Sequence, residues 1–351
     1  MRCLTLANEL RQCGVEVTFI CREHPGNLIE LIKESGFDVQ SIPSSKKVRA
    51  SGEDQVGIEQ NDYQDWLGEA WEKDAEQTLK ALGHTRADCL IVDHYAIDKR
   101  WEQAMRRQVV KIFVIDDLAN KEHDCDVLLN QNLGSQESDY LSKVPINTTL
   151  LIGPQYALIR PEFAQLRADS LHRGIQSPCQ KITISMGGVD KNDETSKILH
   201  ALSLLEFQGE MEVDVVMGRS ALHIDKVQSL LLEFPYKVNL HIGTSNMAAI
   251  LAKSDLLIGA GGSTVWEACC LGLPSLLKIV ADNQRQSVTK LNELGCAFML
   301  DGSVPVNVDL PTKMGWILAP DQLEKMSRAC AMVVDGLGTK LVANRLLGLS
   351  V

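Results

Sequence analysis

The residues of this 351-residue sequence that are best suited to binding a ligand lie just after a short apolar segment, Asp255–Ile258. Glycines there let the backbone approach a ligand closely, and hydroxyl side chains and an acid follow at the start of a predicted helix. Backbone N–H groups at such a turn favour a phosphate, whereas a carboxylate one helical turn further on favours the hydroxyls of a ribose. The residues concerned are Gly261, Gly262, Ser263, Thr264 and Glu267. We therefore predict a nucleotide-diphosphate site here.

Two further turns should reach the same edge of the sheet. The strand predicted over Lys181–Ser185 is followed by a glycine turn, and the strand predicted over Ser275–Val280 is followed by a polar turn. Ligands of α/β folds bind outside the carboxyl ends of parallel strands, so these turns should join the predicted site. Their glycines match neither a P-loop nor a clean dinucleotide fingerprint, and glycines used only to turn the chain remain the alternative. The residues of the two turns are Gly187, Gly188, Asn283 and Gln284.

Polar residues also follow three predicted strands of the N-terminal half. In a parallel sheet such strand ends lie along one rim, where a base could activate an acceptor. Solvation of an ordinary loop is the alternative for any one of these runs. The runs are Asp93-His94-Tyr95, Asp116-Asp117 and Asn130-Gln131-Asn132. The run from His123 to Asp126 comes nearest to a metal-ligand cluster but lacks the spacing of a zinc site, so we predict no metal.

Composition limits the class of partner. The net charge of −11 argues against nucleic acid as the main partner, because that binding needs clustered Lys and Arg. No apolar run approaches the roughly 18 residues of a membrane helix, and no signal peptide is visible. The ten cysteines occupy core-like positions typical of free thiols, so we predict a cytoplasmic protein with no membrane partner. The cysteines singled out by this pattern are Cys3, Cys13, Cys21, Cys89, Cys269 and Cys296.

Hydrophobic periodicity predicts two α/β domains, residues 1–155 and 156–351. The first domain opens with a helix over Met1–Cys13, where a Rossmann-like domain would open with a strand, and it contains one long helix over Asp62–Leu82. The second domain alternates at least five strands with helices. It contains an irregular insertion over Asp301–Ala319 and ends in a helix that could cross back to the first domain.

The sequence resembles the PseG family of UDP-sugar hydrolases over nearly its whole length, and most specifically between Asp93 and Phe163. The glycine-rich stretch is also similar to the nucleotide-diphosphate site of MurG-like GT-B glycosyltransferases. The motifs that carry the resemblance occur in the family's order. They are Arg2-Cys3-Leu4-Thr5-Leu6-Ala7, Asp93-His94-Tyr95, Ile115-Asp116-Asp117, His123-Asp124-Cys125-Asp126, Leu129-Asn130-Gln131-Asn132, Gly153-Pro154-Gln155-Tyr156-Ala157-Leu158-Ile159-Arg160-Pro161-Glu162-Phe163, Ser185-Met186-Gly187-Gly188 and Asp282-Asn283-Gln284.

This resemblance implies an α/β fold of the GT-B type, with two Rossmann-like domains whose parallel sheets face a central cleft. It implies that water attacks UDP-2,4-diacetamido-2,4,6-trideoxy-β-L-altropyranose at the anomeric carbon, releasing UDP and a sugar that leads to pseudaminic acid. No metal or cofactor is implied, and other enzymes of that pathway are the expected protein partners. Tyr95 and Asn283 would be the catalytic side chains beside the sugar. The substrate-binding residues would be Gly187, Gly188, Gly261, Gly262, Ser263, Thr264, Glu267 and Gln284.

The sequence departs from the family pattern at its beginning. The family starts with a strand and a glycine-rich loop ending in Gly-His, whose histidine is the general base, and Met1 falls inside that motif. The resemblance therefore places the first strand and the catalytic His upstream of Met1, and only His24 and His94 are nearby imidazoles that could replace it. The alternatives are a MurG-like UDP-sugar glycosyltransferase, an inactive UDP-sugar-binding protein, and a hydrolase of a related UDP-sugar on a legionaminic acid route.

Overall fold

The computed structural model describes residues 1–44, 63–84, 86–175 and 178–349. The chain divides into two compact units, and each is built on parallel β-strands. Unit 1 comprises Met1–Gln131, Ser135–Tyr156 and Val342–Val351, and unit 2 comprises Asn132–Gly134 and Ala157–Leu341.

Unit 1 begins with a helix, as predicted, and its described strands form two parallel sheets of order β1-β2 and β3-β4-β5-β6. Helix α14 (Gly338–Leu347) begins in unit 2 and ends in unit 1. The helices of unit 1 are α1 (Arg2–Gln12), α2 (Ile29–Glu34), α3 (Gln64–Leu67), α4 (Trp71–Leu82) and α5 (Lys99–Met105). Its strands are β1 (Thr18–Arg22), β2 (Asp38–Ile42), β3 (Ala87–Val92), β4 (Val109–Ile115), β5 (Val127–Asn130) and β6 (Thr149–Ile152).

Each sheet of unit 1 has an incompletely covered edge strand. Within the described residues β1 pairs only with β2 and β3 pairs only with β4. Cys21 of β1 and Cys89 of β3 are half-buried, whereas Ile112 and Phe113 of the inner strand β4 are fully buried. An edge strand lacks a hydrogen-bonding neighbour on one side, although single side chains of these strands, such as Val92 of β3, are still buried.

The single helix predicted over Asp62–Leu82 is wrong. Asp62 lies outside the described residues, and the rest forms α3 and α4 with a break that begins at Gly68. Gly68 has φ of +74°, and a Cβ built there would lie 2.5 Å from Cε1 of His24. The helical period of the apolar residues continues across this break, so periodicity alone did not reveal it.

Unit 2 is built on one six-stranded parallel sheet of order β12-β11-β10-β7-β8-β9. The chain extends the sheet from β7 through β8 to β9 and then returns to the other side of β7 with β10, so the strand order reverses between β7 and β10. Its strands are β7 (Lys181–Ser185), β8 (Glu212–Met217), β9 (Lys237–Ile242), β10 (Leu256–Ala260), β11 (Ser275–Lys278) and β12 (Ala297–Met299). Its helices are α6 (Pro161–Arg173), α7 (Glu194–Ser203), α8 (Ile224–Leu231), α9 (Met247–Leu251), α10 (Thr264–Cys270), α11 (Arg285–Glu293), α12 (Val306–Ile317) and α13 (Gln322–Ala331), followed by the start of α14.

The sheet of unit 2 is covered by apolar clusters on both faces. Along β10, Leu256 and Ile258 belong to one cluster and Leu257 belongs to the other, because successive side chains of a strand point to opposite faces. The first cluster includes residues of α7 and α12, and the second includes residues of α6 and α10. This three-layer arrangement fixes the positions of the loops at the sheet edge.

The irregular insertion predicted over Asp301–Ala319 is also wrong, because most of it forms α12. Val306, Leu310 and Met314 recur every four residues and are buried, which is a helical pattern. Pro311 lies inside this helix, where a proline removes one backbone donor and its ring crowds the carbonyl four residues earlier, so this residue type argues against a helix.

All ten cysteines are free thiols, but not all of them lie in the core. Cys269 and Cys296 are buried, whereas Cys13, which follows the last residue of α1, is exposed, so its predicted core position is wrong. Across the described ranges, no helix has both the length and the apolar character needed to span a membrane.

Candidate functional site

The predicted turns of unit 2 follow the carboxyl ends of three neighbouring strands. In the ladders, Gly259 of β10 is opposite Ser185 of β7, and Ala260 of β10 is opposite Lys278 of β11. The turns after β7 and β10 therefore flank the point at which strand order reverses. This is where doubly wound α/β sheets bind ligands.

The turn after β10 offers unused backbone donors. No hydrogen bond among the described residues uses the N–H of Gly262, Ser263 or Thr264. A Cβ at Gly262 would meet nothing closer than Nε2 of Gln284, at 4.0 Å, so this part of the turn is open. Such amides can donate to the oxygens of a phosphate group.

Gly261 has a different environment. Its N–H donates to the carbonyl of Lys278 at 3.2 Å, and a Cβ there would lie 2.3 Å from Cγ2 of Val288. Close packing against α11 therefore requires glycine at this position, whether or not a ligand is bound.

The turn after β7 also presents open glycines. A Cβ at Gly187 or Gly188 would meet no atom within 4 Å, and Gly187 has φ of +95°. The carbonyl oxygen of Gly188 would lie 2.1 Å from a Cβ at Gly218, so glycine at 218 allows this turn to pack against the loop after β8.

The turn after β11 brings Gln284 to the glycines. Asn283 and Gln284 lie in a single 3₁₀ turn, Asp282–Gln284, and Oε1 of Gln284 accepts a hydrogen bond from the N–H of Val280 at 3.0 Å. The structure thus brings Gln284 beside Gly261 and Gly262, as the sequence predicted. Asn283 occupies the same turn.

Glu267 of α10 is held by Arg160, the residue that precedes α6. Nε and Nη2 of Arg160 donate to the same carboxylate oxygen, Oε1, at 3.2 and 3.0 Å. No hydrogen bond within the described part of the chain reaches Oε2 of Glu267. The side chain of Glu267 is 12% exposed, so one oxygen is fixed by the protein and the other can accept hydrogen bonds from a ligand.

Burial raises the pKa of Glu267 above its usual value, and the charge and hydrogen bonds of Arg160 oppose this rise. Glu162 of α6 adds to the rise through its own negative charge. The ionised form of Glu267, which is the better acceptor, therefore depends on Arg160.

Unit 1 contains a second polar cluster, centred on Arg2. Its guanidinium donates to Oδ1 of Asp93 at 2.7 Å and to Oδ1 of Asp117 at 2.9 Å. The hydroxyl of Tyr95 donates to Oδ2 of Asp117 at 2.7 Å. Although burial alone would raise it, Arg2 holds the pKa of Asp93 below its usual value. Tyr95 thus belongs to a charged cluster in unit 1, whereas the other predicted site residues belong to unit 2.

A buried network lies beside this cluster and does not form a metal site. The hydroxyl of Tyr140 donates to Oδ2 of Asp116 at 2.8 Å, and Nδ1 of His123 lies 2.7 Å from Oε1 of Glu102. Asp124, the neighbour of His123 in the sequence, forms an ion pair with Arg106. Within the described residues, no group of His, Cys, Asp and Glu side chains could hold a metal ion.

The two histidines that could act as replacement bases, His94 and His24, form their hydrogen bonds outside the Arg2 cluster. Nδ1 of His94 accepts a hydrogen bond from the N–H of Ala96 at 3.1 Å, and burial lowers the pKa of His94. His24 follows β1, and its Nδ1 lies 3.4 Å from Oγ of Ser44. Neither ring takes part in the Arg2 cluster through a hydrogen bond.

Comparisons with known proteins find distant relatives. No model of a known protein family matches the chain. An uncharacterized protein of Methanocaldococcus jannaschii is 26% identical over 315 residues, which cover 86% of this chain but only 58% of that protein. The UDP-2,4-diacetamido-2,4,6-trideoxy-beta-L-altropyranose hydrolase of Campylobacter jejuni is 28% identical over 220 residues, covering 62% of this chain and 76% of the hydrolase. The spore coat polysaccharide biosynthesis protein SpsG of Bacillus subtilis is 27% identical over 270 residues, covering 75% and 77%.

Solved structures match the whole described fold. MurG of Acinetobacter baumannii gives a TM-score of 0.66 at 16% identity, covering 99% of this chain and 95% of MurG. The chain has a GT-B fold. The spinosyn rhamnosyltransferase SpnG, solved with thymidine diphosphate, gives a TM-score of 0.62 at 15% identity, covering 98% and 95%. At these identities the likeness establishes the GT-B fold and its two Rossmann-like domains, and it does not establish the reaction.

The sequence did not identify every residue that the GT-B fold brings to these clusters. No role was predicted for Arg160 or Arg2, and Asp117 was predicted only as one polar residue of the strand-end rim. Their partners are distant in sequence: Arg160 is 107 residues from Glu267, and Arg2 is 115 residues from Asp117. The one indication in the sequence was Glu267 itself, a carboxylate near a predicted helix start for which no positively charged partner had been predicted.

Proposed function

We propose that this chain hydrolyses a UDP-linked sugar, specifically UDP-2,4-diacetamido-2,4,6-trideoxy-β-L-altropyranose, to UDP and the free sugar. The observation that carries the proposal is the carboxylate of Glu267, which follows the open glycine turn after β10. Its Oε1 accepts both hydrogen bonds from Arg160, which leaves Oε2 for a ligand. Oε2 of Glu267 would accept the ribose hydroxyls, while the unused N–H groups of Gly262, Ser263 and Thr264 would donate to the diphosphate.

The choice of nucleotide and sugar is supported by the relatives. The Campylobacter protein hydrolyses this UDP-sugar by its name, and it matches 62% of this chain. The fold neighbour SpnG was solved with a nucleoside diphosphate, which fits a diphosphate-binding role for unit 2. The free sugar would then enter a route to pseudaminic acid, whose other enzymes would be the partners of this protein.

The chemistry follows from the character of the leaving group. Water attacks the anomeric carbon, the bond from that carbon to the diphosphate oxygen breaks, and UDP leaves with the bonding electrons. Preorganised backbone donors stabilise the charge that develops on the diphosphate. A base takes up the proton that the water loses. In this proposal Tyr95 and Asn283 orient the sugar, and Gln284 with Gly187 and Gly188 completes the nucleotide-binding edge.

A MurG-like glycosyltransferase activity is the second candidate, because the matching solved structures include glycosyltransferases. The two reactions share the bound UDP-sugar and differ in the acceptor, which is water for a hydrolase and a sugar or lipid-linked hydroxyl for a transferase. An inactive UDP-sugar-binding protein would share the nucleotide site alone.

The experiment is to measure release of UDP from the altropyranose substrate with no acceptor present. UDP-N-acetylglucosamine and the UDP-sugar of a legionaminic acid route serve as alternative substrates. Stoichiometric UDP and free sugar from the altropyranose substrate would support the proposal. UDP release that requires an added acceptor would support the transferase instead. Binding of UDP without turnover of any substrate would leave only a nucleotide-binding protein.

A further inference from the structure

We infer that Arg160 is a positioning residue that sets the preference of this protein for a ribonucleotide over a 2′-deoxyribonucleotide. The inference rests on the proposed function, because it assumes that Glu267 receives the ribose. We do not propose that Arg160 itself contacts the nucleotide. It acts by fixing the orientation and charge of the Glu267 carboxylate.

The guanidinium of Arg160 is held from several directions. Nη1 lies 3.6 Å from Oε1 of Glu162, and Cζ lies 5.0 Å from the centre of the ring of Phe163, which is fully buried. The remaining donors, Nε and Nη2, both point to Oε1 of Glu267. A planar guanidinium fixed in this way is preorganised, so little side-chain entropy is lost when a ligand binds to its partner.

Arg160 contacts only one of the two carboxylate oxygens of Glu267, so the other oxygen is the one that can bind the ligand. An arginine that pairs with both oxygens of a carboxylate in a fork occupies both of them. Here both donors converge on Oε1, and Oε2 keeps its lone pairs for other donors. The two adjacent hydroxyls of a ribose supply such donors, whereas a 2′-deoxyribose supplies one fewer.

The charge of Arg160 also controls ionisation. Burial raises the pKa of Glu267, Glu162 raises it further, and Arg160 lowers it. Without the guanidinium, the carboxylate would take up a proton at a higher pH. A protonated carboxyl is a weaker acceptor, so discrimination between the two sugars would be lost at higher pH than in the natural protein.

The test is isothermal titration of the full chain with UDP and with 2′-deoxy-UDP over a range of pH. The natural protein should bind UDP about tenfold or more tightly than 2′-deoxy-UDP at neutral pH. Arg160→Met should bring the ratio of the two affinities closer to one. Any remaining preference for UDP should disappear at a higher pH than in the natural protein. Arg160→Lys, which keeps the positive charge, should recover most of the ratio.

Arg173→Met is the matched control, since it breaks a second arginine–carboxylate pair of α6 far from the glycine turn. It should lower stability and leave the ratio unchanged. If the natural protein binds no UDP, the proposed function fails together with this inference. If the natural protein discriminates and Arg160→Met has the same ratio and pH profile, the inference alone is overturned. Should Arg160→Met not fold, Arg160→Gln, which also removes the positive charge, takes its place in this comparison.

Discussion

Arg160 and Arg173 stand at opposite ends of α6, and each pairs with a carboxylate at a different end of the β10–α10 segment. Arg173 lies 3.1 Å from Asp255, which precedes β10, and Arg160 lies 3.0 Å from Glu267 in α10. Asp255 is 1% exposed, and its second oxygen accepts the N–H groups of Gln180 and Lys181. The two pairs therefore have the same chemistry but different availability: both oxygens of Asp255 are used by the protein, whereas Glu267 keeps one for a ligand.

Substitution of these two carboxylates should separate binding from stability. Glu267→Gln should weaken UDP binding by about 10–100-fold, the range for hydrogen bonds to a charged group, with little change in the free energy of unfolding. Asp255→Asn should lower that free energy by about 1–3 kcal/mol and leave UDP affinity nearly unchanged. Titration calorimetry and urea unfolding measure the two effects. Equal UDP affinity in Glu267→Gln and the natural protein would remove Glu267 from the site.

Neighbouring glycines of the turn after β10 should respond differently to alanine. Gly262→Ala should fold normally, because the new Cβ would meet only Nε2 of Gln284 at 4.0 Å, but it should weaken UDP binding by keeping the phosphate away from the backbone. Gly261→Ala should cost about 1–3 kcal/mol of stability, because its Cβ would overlap the side chain of Val288. Thermal unfolding with and without UDP tests both variants. An alanine at 262 that changes neither quantity would show that no ligand approaches this backbone.

Consecutive aspartates of unit 1 each accept a hydrogen bond from a tyrosine, and these pairs should also behave differently. Tyr95→Phe removes the partly exposed hydroxyl that contacts Asp117, and it should lower kcat by about 10–100-fold while UDP affinity is retained. Tyr140→Phe removes the buried hydroxyl that contacts Asp116, and it should lower stability by about 1–3 kcal/mol with kcat retained. Steady-state kinetics and unfolding curves check both outcomes. Unchanged kcat in Tyr95→Phe would exclude its hydroxyl from the reaction.

The fold of unit 2 could be predicted well because its signals are local. The strand β10 is a continuous apolar run, β7 carries isoleucine at alternate positions, and each strand is followed by glycine within a few residues. Their adjacency also followed from a general rule, since ligand-binding turns collect at the carboxyl edge of a parallel sheet. In unit 1 the helix predicted over Met1–Cys13 was accurate to within one residue at each end, whereas Gly68 there and Pro311 in unit 2 interrupted the expected patterns.

The electrostatic partners of the site could not be predicted in the same way. Nothing in the sequence near Glu267 indicates that Arg160 will hold it, because α6 must first pack beside α10 through Phe163 and the cluster around it. For Gly261 the difficulty is different. The residue type predicted a role in ligand binding, but close packing against Val288 already requires a glycine at this position. Residue type suggests a function, and only the neighbours in space show whether another reason exists.

The buried pair of His123 and Glu102 should make the stability of unit 1 depend on pH. Burial lowers the pKa of His123, but the hydrogen bond and charge of Glu102, with a contribution from Asp116 at 4.0 Å, raise it above its usual value overall. The folded state therefore holds the proton more tightly than the unfolded chain. The resulting stabilisation is complete below the unfolded pKa of about 6.5 and is lost as pH rises through the higher folded value.

Hydrogen exchange of the β4 amides, which lie in the core of unit 1, should show this loss of protection with rising pH after correction for the intrinsic exchange rate. Glu102→Gln should abolish or reverse the trend, because a buried histidine without its anionic partner resists protonation. His172→Gln changes an exposed histidine on α6 and serves as the control. The same pH dependence in Glu102→Gln and the natural protein would mean that another group is responsible.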